Sequence, residues 1–431
     1  MLFKNIGIID ENFDFKPNMY VGVKDGRISC ICDAQPEGDF GEVYDGTGKV
    51  LMPGLVNAHT HSPMTLLRGY AENLPLDRWL NEKVFPFEDR LDCDRAYWGT
   101  LLSIAEMLES GTTSFSDMYF FSEGIMRAAK DAHAKINYSR SISSFTEDVS
   151  FFDDERVKEA LEIAEKYNGT EDGRIKIDMA LHSEYTNTYP MIEQFGKYIG
   201  EHDFISHIHV SETESEHENC KKKYGKTPTE LFESVGILDK PCLFAHCVWV
   251  DENDMDIFAR KGVSVVSCPG SNLKLGSGVC NINRLLEKGV NVAVGTDSAS
   301  SNNALDMFRE MYLISVLPKG INNRADIVSP KEVLKMATVN GARAQGRGDC
   351  GLLKEGFRAD LIVLDMNRAN MYPDYNAVNN IVYSADKSNV VLTMVDGDVL
   401  YRDGRFKYID VEKVGRECNR IVREVTKELG L

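Results

Sequence analysis

The sequence predicts an α/β fold: a (β/α)8 barrel of the TIM type with a small β-sandwich module built from both chain termini. Three observations predict it. Eight short apolar segments alternate with amphipathic helical segments, several of these helical segments end in glycine just before the next apolar segment, and strand-and-turn patterns occupy both ends of the chain. Continuous apolar strands separated by helices indicate a parallel sheet covered by helices.

A doubly wound open sheet is the competing fold. Such sheets usually place a glycine-rich phosphate turn after the first strand. No G-x-G-x-x-G turn follows the first apolar strand of this sequence, and G-x-x-x-x-G-K-[ST] is absent from it. We therefore favour the closed barrel.

The first fifty residues predict short strands joined by turns. The segment LFKNIGIID is followed by MYVGVKDGRISCICD, in which Asp25-Gly26 is a hairpin signal. The same pattern of short strands and turns occurs in DLIVLDM and in VVLTMVDGDVLYRDGRF, with Asp396-Gly397 and Asp403-Gly404 as turns. Strand patterns at opposite ends of a chain indicate one module assembled from both.

The last twenty residues predict a terminal helix. Its apolar residues recur at helical spacing: Val414, Ile421, Val422 and Val425. We divide the chain into residues 1–52 as the first part of the β module, 53–355 as a metal-dependent catalytic barrel, and 356–431 as the rest of the module with the terminal helix.

The barrel strands are predicted from the eight apolar segments between these ends. In order they are VLMPGLVNAH, TTSFSDM, KINYSRSI, RIKIDMALH, FISHIHVSE, PCLFAHC, VSVVSC and NVAVGTD. Helical stretches such as YWGTLLSIAEMLESG and DDERVKEALEIAEKY separate them. The carboxyl ends of the strands in such a barrel face one cavity, where catalysis takes place.

Titratable side chains recur at these carboxyl ends. They are His59 and His61 after the first strand, Arg140 on the third, His182 on the fourth, His209 and Glu212 on the fifth, His246 on the sixth and Asp297 on the eighth. Four of the eight ends bear a histidine, although the whole chain has only nine. Scattered placement would rarely produce this, so the pattern indicates a functional site.

Each of these side chains also has a structural interpretation when taken alone. A single His182 or His246 could be a satisfied core histidine, and Arg140 could pair with a carboxylate of a neighbouring strand. Asp297 could cap the helix that follows it. Their shared position at strand ends is what favours function over these alternatives.

The other four histidines are assigned structural roles: His133, His202, His207 and His217. His207 precedes His209 by two residues and so should point to the same side, one layer deeper. His217-Glu218 begins like the helical zinc motif H-E-x-x-H, but Lys221 stands where the second histidine should be.

Three imidazoles and one carboxylate have the composition of a catalytic divalent-metal site. They are His59, His61, His209 and Asp297. One Zn²⁺ is the expected ion, and Fe²⁺ would also suit these ligands. Bound zinc lowers the pKa of its water to about 7. Glu212, three residues past His209, is then placed to move protons, and His246 is placed to orient the nucleophile.

Composition excludes several other functions. The chain is ordinary in its hydrophobic content, 43%, but has a net charge of −18, which disfavours nucleic-acid partners. No apolar run approaches the roughly 20 residues of a membrane span, and the first residues do not form a secretory signal. The ten cysteines lack a disulfide pattern. We expect a cytoplasmic enzyme that acts on a small molecule.

The sequence resembles the amidohydrolase superfamily over nearly its whole length. The stretches PGLVNAHTH, HVSETESE, AHC and GTDS support this resemblance. Within the superfamily, the sequence is most similar to the methylthioadenosine/S-adenosylhomocysteine deaminase family, through HTHSPMTLLRGYAENLPLDRWL, VFPFEDRL, DMYF, SNLKLGSG and GTDSASSNNALDMF.

The resemblance implies a role for each matching residue. It implies metal ligands at His59, His61, His209 and Asp297, a proton shuttle at Glu212, assistance to the nucleophile from His246, and substrate contacts at Trp79, Glu88, Arg140, His182, Glu212 and Asp297. Trp79 would form an aromatic wall, and Glu88 would hold the ribose hydroxyls. It also implies a homodimer or homotetramer.

Two further features bear on the type of deaminase. Dinuclear relatives carry a carboxylated lysine at the end of the fourth strand; here Lys176 lies near its start and His182 at its end, which favours a single metal. The family has a further arginine, after Arg140, for the homocysteine carboxylate. The corresponding segment, SSFTEDVSFFDDERVKE, is acidic, and Arg156 is the candidate counterpart.

We therefore predict hydrolytic deamination of an adenine nucleoside, such as methylthioadenosine, S-adenosylhomocysteine or adenosine, to the inosine analogue and ammonia. Two alternatives stay open. One is a deaminase or chlorohydrolase acting on another heterocycle, such as guanine or a triazine, in which case Glu88 could pair with Arg90 instead of binding ribose. The other is a metal-free scaffold protein.

Overall fold

The computed structural model describes residues 1–146 and 150–431. The N-terminal part contributes five strands to one sheet: β1 (Leu2–Ile9), β2 (Phe15–Lys24), β3 (Arg27–Cys32), β4 (Val43–Asp45) and β5 (Lys49–Pro53). β2 and β3 form an antiparallel hairpin whose turn has positive φ at Asp25 and Gly26. The predicted hairpin is thus confirmed.

The central part contributes eight parallel strands that follow one another around a barrel. They are β6 (Leu55–Thr60), β7 (Thr112–Tyr119), β8 (Ile136–Ile142), β9 (Ile175–Leu181), β10 (Ser206–Val210), β11 (Cys242–His246), β12 (Ser264–Ser267) and β13 (Asn291–Val294). The backbone N–H of Asp297 donates to the carbonyl of His59, 2.9 Å away, across the seam between first and last strands. The predicted barrel is confirmed.

One predicted strand is divided between the two sheets. The segment VLMPGLVNAH was expected to be a single barrel strand, but β5 ends at Pro53 and β6 begins at Leu55. Gly54 lies at the break, where an added Cβ would meet the side chain of Thr113 at 2.2 Å. The chain therefore passes from module to barrel at a point that only glycine fits.

Helices of the barrel occupy its outside and the loops at its carboxyl end. They are α1 (Leu76–Trp79), α2 (Phe85–Glu88), α3 (Cys93–Glu109), α4 (Ser122–Asp131), α5 (Glu155–Tyr167), α6 (Tyr189–Glu201), α7 (Glu214–Tyr224), α8 (Pro228–Ser234), α9 (Glu252–Lys261), α10 (Pro269–Lys274), α11 (Ile282–Glu287), α12 (Met307–Asn322), α13 (Pro330–Met336) and α14 (Val339–Ala344). Gly262 ends α9 with a φ of 71° just before β12, as the sequence predicted.

The C-terminal part returns to the first sheet. It contains β14 (Leu361–Asp365), β15 (Val390–Val395), β16 (Asp398–Arg402) and β17 (Arg405–Phe406), with α15 (Ala377–Tyr383) and α16 (Val411–Glu428). β14 pairs antiparallel with β5, so the two ends of the chain form one nine-stranded sheet. Residues of the N-terminal and C-terminal parts share one buried core, among them Phe3, Val21, Leu361 and Leu392.

The terminal helix packs on the barrel. Cys418 of α16 donates its thiol to the carbonyl of Trp98 in α3, and Arg95 of α3 pairs with Glu428 at 2.8 Å. Of the predicted apolar residues, Val414, Ile421 and Val425 are buried, whereas Val422 is half-buried. The helix therefore continues the outer layer of the barrel.

A buried ion cluster joins barrel and module. Lys135, which precedes β8, contacts Asp360 at 2.5 Å and Asp396 at 2.8 Å, and all three side chains are at most 7% exposed. Removing one member of a buried pair leaves uncompensated charge, which costs about 3–5 kcal/mol. The cluster therefore holds the two parts in register.

Replacing Lys135 by Ala should lower the free energy of unfolding by about 3 kcal/mol, because two buried carboxylates lose their nearest cation. Chemical denaturation measures the change. Lys387→Ala, which removes a half-exposed pair with Glu109, is the control and should cost less than about 1 kcal/mol. Equal effects of the two substitutions would contradict the assignment.

All ten cysteines are free thiols. Among the residues that the structure describes, no helix has both the length and the apolar character that crossing a bilayer requires.

Candidate metal centre and active site

Four predicted ligands converge at the carboxyl end of the barrel. His59 and His61 lie at the end of β6, His209 on β10, and Asp297 just after β13. His61 Nε2 lies 3.3 Å from His209 Nε2 and 3.2 Å from Asp297 Oδ1, and His59 Nε2 lies 3.7 Å from the same oxygen. The alternation of side chains along a strand brings the two β6 histidines to one point, as the sequence predicted.

Each of the three imidazoles is held through its other ring nitrogen. His61 Nδ1 lies 2.5 Å from the carbonyl of Met118, and His209 Nδ1 lies 2.7 Å from the carbonyl of His182. His59 Nδ1 lies 2.8 Å from His207 Nε2. Because a carbonyl can only accept, the first two contacts place the proton on Nδ1 and leave Nε2 as a lone pair, the state that binds a metal.

The arrangement of these lone pairs fits a divalent cation. His61 and His209 turn two acceptor nitrogens towards each other, and the buried His59 Nε2 has no hydrogen-bond partner within residues 1–146 and 150–431. Such a cluster is costly unless a cation occupies its centre. Two ligands about 2.0–2.1 Å from a tetrahedral ion lie roughly 3.3 Å apart, which matches the separation of His61 and His209.

Hydroxyl groups and a backbone N–H fix the carboxylate of Asp297, the predicted fourth ligand. Asp297 Oδ2 accepts hydrogen bonds from Ser271 Oγ at 2.5 Å and Ser301 Oγ at 2.9 Å, and Oδ1 accepts from the backbone N–H of Ser298 at 2.7 Å. Asp297 has a φ of 59°, and His246 a φ of 71°. Non-glycine residues held in this region cluster at functional sites.

Glu212 and His246 face each other beside the ligands. Glu212 Oε2 lies 3.8 Å from His246 Nε2, and His246 Nδ1 donates to Asn272 Oδ1 at 2.8 Å. Burial raises the pKa of Glu212 to about 7. A carboxyl group with such a pKa can both accept and release a proton near neutral pH.

A cavity of about 830 Å³ opens above these residues and is large enough for a nucleoside. The predicted site residues that line it are His61, Trp79, Glu88, Arg140, His182, His209, Glu212, His246 and Asp297. Of the predicted site residues, only His59 is absent from its wall, since it lies fully buried beneath. The structure thus brings together residues that are up to 238 positions apart in the chain.

Glu88 and Trp79 contribute a buried part of this wall. Tyr119 donates its hydroxyl to Glu88 Oε1 at 2.5 Å, and burial raises the pKa of Glu88 to about 7. Glu88 is therefore bonded to a tyrosine, and the exposed Arg90 is not its partner. Trp79 is buried, and its indole nitrogen has no hydrogen-bond partner among the described residues.

The two arginines of the cavity wall are ion-paired. Arg140 Nε donates to Glu159 Oε2 at 2.6 Å, and Arg156 Nη1 lies 3.1 Å from Asp154 Oδ2. Arg140 is thus an ion-pair partner, although Glu159 lies on helix α5 and not on a neighbouring strand. Residues 147–149 of the acidic segment that contains Arg156 lie outside the described residues.

Sequence analysis missed several residues that support the site. His207 was assigned a structural role, but it contacts the His59 ring, and only its spacing from His209 hinted at this. Asn272, Ser271 and Ser301 were not singled out, although Asn272 and Ser271 lie in the SNLKLGSG motif and Ser301 in the GTDSASSNNALDMF motif. Hydroxyl and amide side chains are too common for sequence alone to select them.

The remaining histidines contact other parts of the molecule. His133 stacks on Tyr408, with ring centres 3.9 Å apart, and His202 stacks on Tyr198 at 4.0 Å. His217 Nδ1 lies 3.0 Å from Ser211 Oγ. These contacts agree with the structural roles expected for them.

Comparison with known proteins identifies relatives over the whole chain. A model of the amidohydrolase family matches residues 50–400. The chain is 40% identical to a 5-methylthioadenosine/S-adenosylhomocysteine deaminase of Acetivibrio thermocellus, with 99% of this chain and 100% of the relative covered. It is also 40% identical to a 5′-deoxyadenosine deaminase of Methanothermobacter thermautotrophicus, with 94% of each chain covered.

A solved structure is similar over the same extent. It is the crystal structure of a zinc-bound adenosine deaminase from Xanthomonas campestris, with a TM-score of 0.94 and 30% sequence identity. The match covers 99% of this chain and 98% of the other. The barrel and the two-ended sheet are therefore shared with this relative.

Proposed function

The chain belongs to the amidohydrolase family, and from that premise we propose that it deaminates adenine nucleosides hydrolytically at this site, with one divalent metal ion. The products are the inosine analogue and ammonia. It is a hydrolase acting on the C–N bond between the purine ring and its amino group.

One observation supports the proposal above all. The ligand nitrogens of His61 and His209 and a carboxylate oxygen of Asp297 lie within 3.3 Å of their neighbours at the base of a nucleoside-sized cavity, beside Glu212. Hydrolysis of an aromatic amine needs a nucleophilic water and a group that protonates the ring. The site has candidates for both.

The chemistry can be derived from the side chains. When bound at His59, His61, His209 and Asp297, a divalent ion supplies Lewis acidity that makes water nucleophilic near neutral pH. Glu212 can accept a proton from this water and deliver it to the ring nitrogen beside the amino-bearing carbon. Asp297 can take the second proton and pass it to the amino group, which leaves as ammonia.

His246 orients the nucleophile. Its Nδ1 is fixed by Asn272, so Nε2 faces Glu212 and the cavity. Glu88, buried in the cavity wall, is suited to accept hydrogen bonds from ribose hydroxyls, and Trp79 provides an apolar face for the nucleoside. His182 lines the same cavity, and its carbonyl orients the His209 ring.

We propose Zn²⁺ as the ion. Imidazole nitrogens and carboxylate oxygens are ligands that zinc accepts, and the Xanthomonas campestris relative holds zinc. Elemental analysis of the purified protein should find one zinc per chain. One equivalent of a different metal would change the identity of the proposed ion but not the position of the proposed site.

Ammonia release tests the function. Adenosine, methylthioadenosine, S-adenosylhomocysteine, 5′-deoxyadenosine, guanine and a chlorotriazine are offered to the metal-loaded protein. We expect release from the adenine nucleosides and none from guanine or the triazine. Release from guanine alone, or chloride from the triazine, would replace the proposal with the heterocycle alternative.

Replacing Glu88 by Gln should lower kcat/KM for adenosine by about 10- to 100-fold, because the amide NH2 cannot accept a ribose hydrogen bond as a carboxyl oxygen does. The effect should appear in KM more than in kcat, since Glu88 does not contact the reacting atoms. The exposed Glu82→Gln is the control. A normal kcat/KM in the Glu88 variant would remove the ribose role.

A further inference from the structure

The positively charged side chains that line the active-site cavity already form ion pairs with carboxylates of the chain. Among the residues that the structure describes, Arg140 and Arg156 are the only lysine or arginine side chains that line it. Arg140 pairs with Glu159, and Arg156 with Asp154. A substrate carboxylate that entered the cavity would therefore meet no unpaired basic side chain within this set.

Hydrogen bonds hold the side chain of Glu159 in its position. It lies in the second turn of α5, and its Oε1 accepts a hydrogen bond from Ser122 Oγ at 2.7 Å while Oε2 accepts from Arg140 at 2.6 Å. Ser122 Oγ in turn lies 2.8 Å from Tyr138 Oη. Both oxygens are thus engaged, so the carboxylate is fixed against the guanidinium.

Arg140 is held on its other side as well. Its Nη1 donates to the carbonyl of Ser141, and its side chain is only 13% exposed. Its guanidinium lies 5.9 Å from the ring centre of Phe120. Phe120, Phe121 and Phe145 also line the cavity. This part of the wall therefore presents aromatic surface and a neutralised ion pair.

We propose that Glu159 determines substrate choice by neutralising Arg140, so that the cavity favours adenine nucleosides whose 5′ substituent carries no carboxylate. The proposal rests on the proposed function. Glu88 and Asp89, which also line the cavity, add to the electrostatic cost of a substrate carboxylate. Glu159 does not touch the reacting atoms, so it is a specificity-determining residue that acts through Arg140.

In the alternative interpretation, the charged side chains of Arg140 and Glu159 both bind the substrate. Arg140 would then bind the carboxylate and Glu159 the ammonium of an amino acid. The contacts favour neutralisation of Arg140 by Glu159. Both carboxylate oxygens of Glu159 accept hydrogen bonds from within the chain, and Nε and Nη1 of Arg140 donate to partners within the chain. The two interpretations predict opposite effects of removing the Glu159 charge.

The test uses two 5′-thioethers of adenosine that differ only at the end of the side chain, one a carboxylate and the other its carboxamide. Binding to the metal-loaded enzyme is measured by calorimetry, and turnover by ammonia release. The wild type should prefer the carboxamide. Glu159→Gln, which keeps the Ser122 hydrogen bond, should improve binding and kcat/KM for the carboxylate by at least about tenfold, and change those for the carboxamide by less than about threefold.

Glu165→Gln is the matched control, because it removes the same charge from an exposed position on α5. It should leave the ratio between the two ligands unchanged. An unchanged ratio in Glu159→Gln, or weaker binding of the carboxylate, would overturn the proposal. If neither the thioethers nor adenosine release ammonia, the proposed function fails, and the binding ratio still decides the role of Glu159.

Discussion

Replacing Glu212 by Gln should lower kcat by about 10²- to 10⁴-fold while the metal content stays at the wild-type value. The amide keeps the shape of the side chain but can neither accept nor release a proton. Glu212 contacts His246 and Ser277 and is not among the four ligands. The loss should therefore fall on the chemical step.

The measurement is steady-state deamination of adenosine together with elemental analysis of the same sample. The exposed Glu214→Gln, two residues along the chain, is the control and should behave as the wild type. A Glu212 variant that retained near-normal kcat would show that another group moves the proton. A variant that lost its metal would make Glu212 part of the metal centre.

Replacing Asp297 by Asn should lower both activity and metal content. The substitution removes the only carboxylate among the four proposed ligands and, with it, the group that we propose passes a proton to the departing amino group. We expect kcat to fall by more than about 10³-fold, and metal retention after dialysis to fall as well. The hydrogen bonds from Ser271, Ser298 and Ser301 show how closely this carboxylate is held.

Comparing the Glu212 and Asp297 variants distinguishes proton transfer from metal binding, which neither variant does alone. Glu212→Gln should separate activity from metal binding, whereas Asp297→Asn should lower both together. Full metal content in an inactive Asp297 variant would limit that residue to proton transfer. Full activity in it would exclude Asp297 from the site altogether.

The sequence predicted the barrel because its strands are continuous and apolar. All eight predicted strands exist. Several are shorter than predicted, and the first is divided between two sheets at Gly54. The terminal helix was predicted by its periodicity, but periodicity does not specify a partner. That it packs on α3 depends on tertiary contacts such as Cys418 with Trp98.

The candidate metal centre could be predicted because histidines are rare in this chain and several lie at the carboxyl ends of the barrel strands. Its supporting residues could not be, as His207 shows. A histidine two positions from a ligand could face the core, and only coordinates reveal its contact with the His59 ring. The pairing of Arg140 with Glu159 escaped prediction for the same reason, since Glu159 is one of several carboxylates on a helix.

The cytoplasmic location, the absence of nucleic-acid partners, the homo-oligomeric state and the exact domain boundaries stay predictions. They depend on composition, strand patterns and family resemblance.

The most direct test of the account is a titration of the metal-free protein with Zn²⁺, followed by adenosine deamination. The account places one ion between His59, His61, His209 and Asp297. Activity should therefore rise in proportion to added metal and level off at one equivalent per chain. Deamination without metal, a plateau only at two equivalents, or no deamination at any metal content would contradict it.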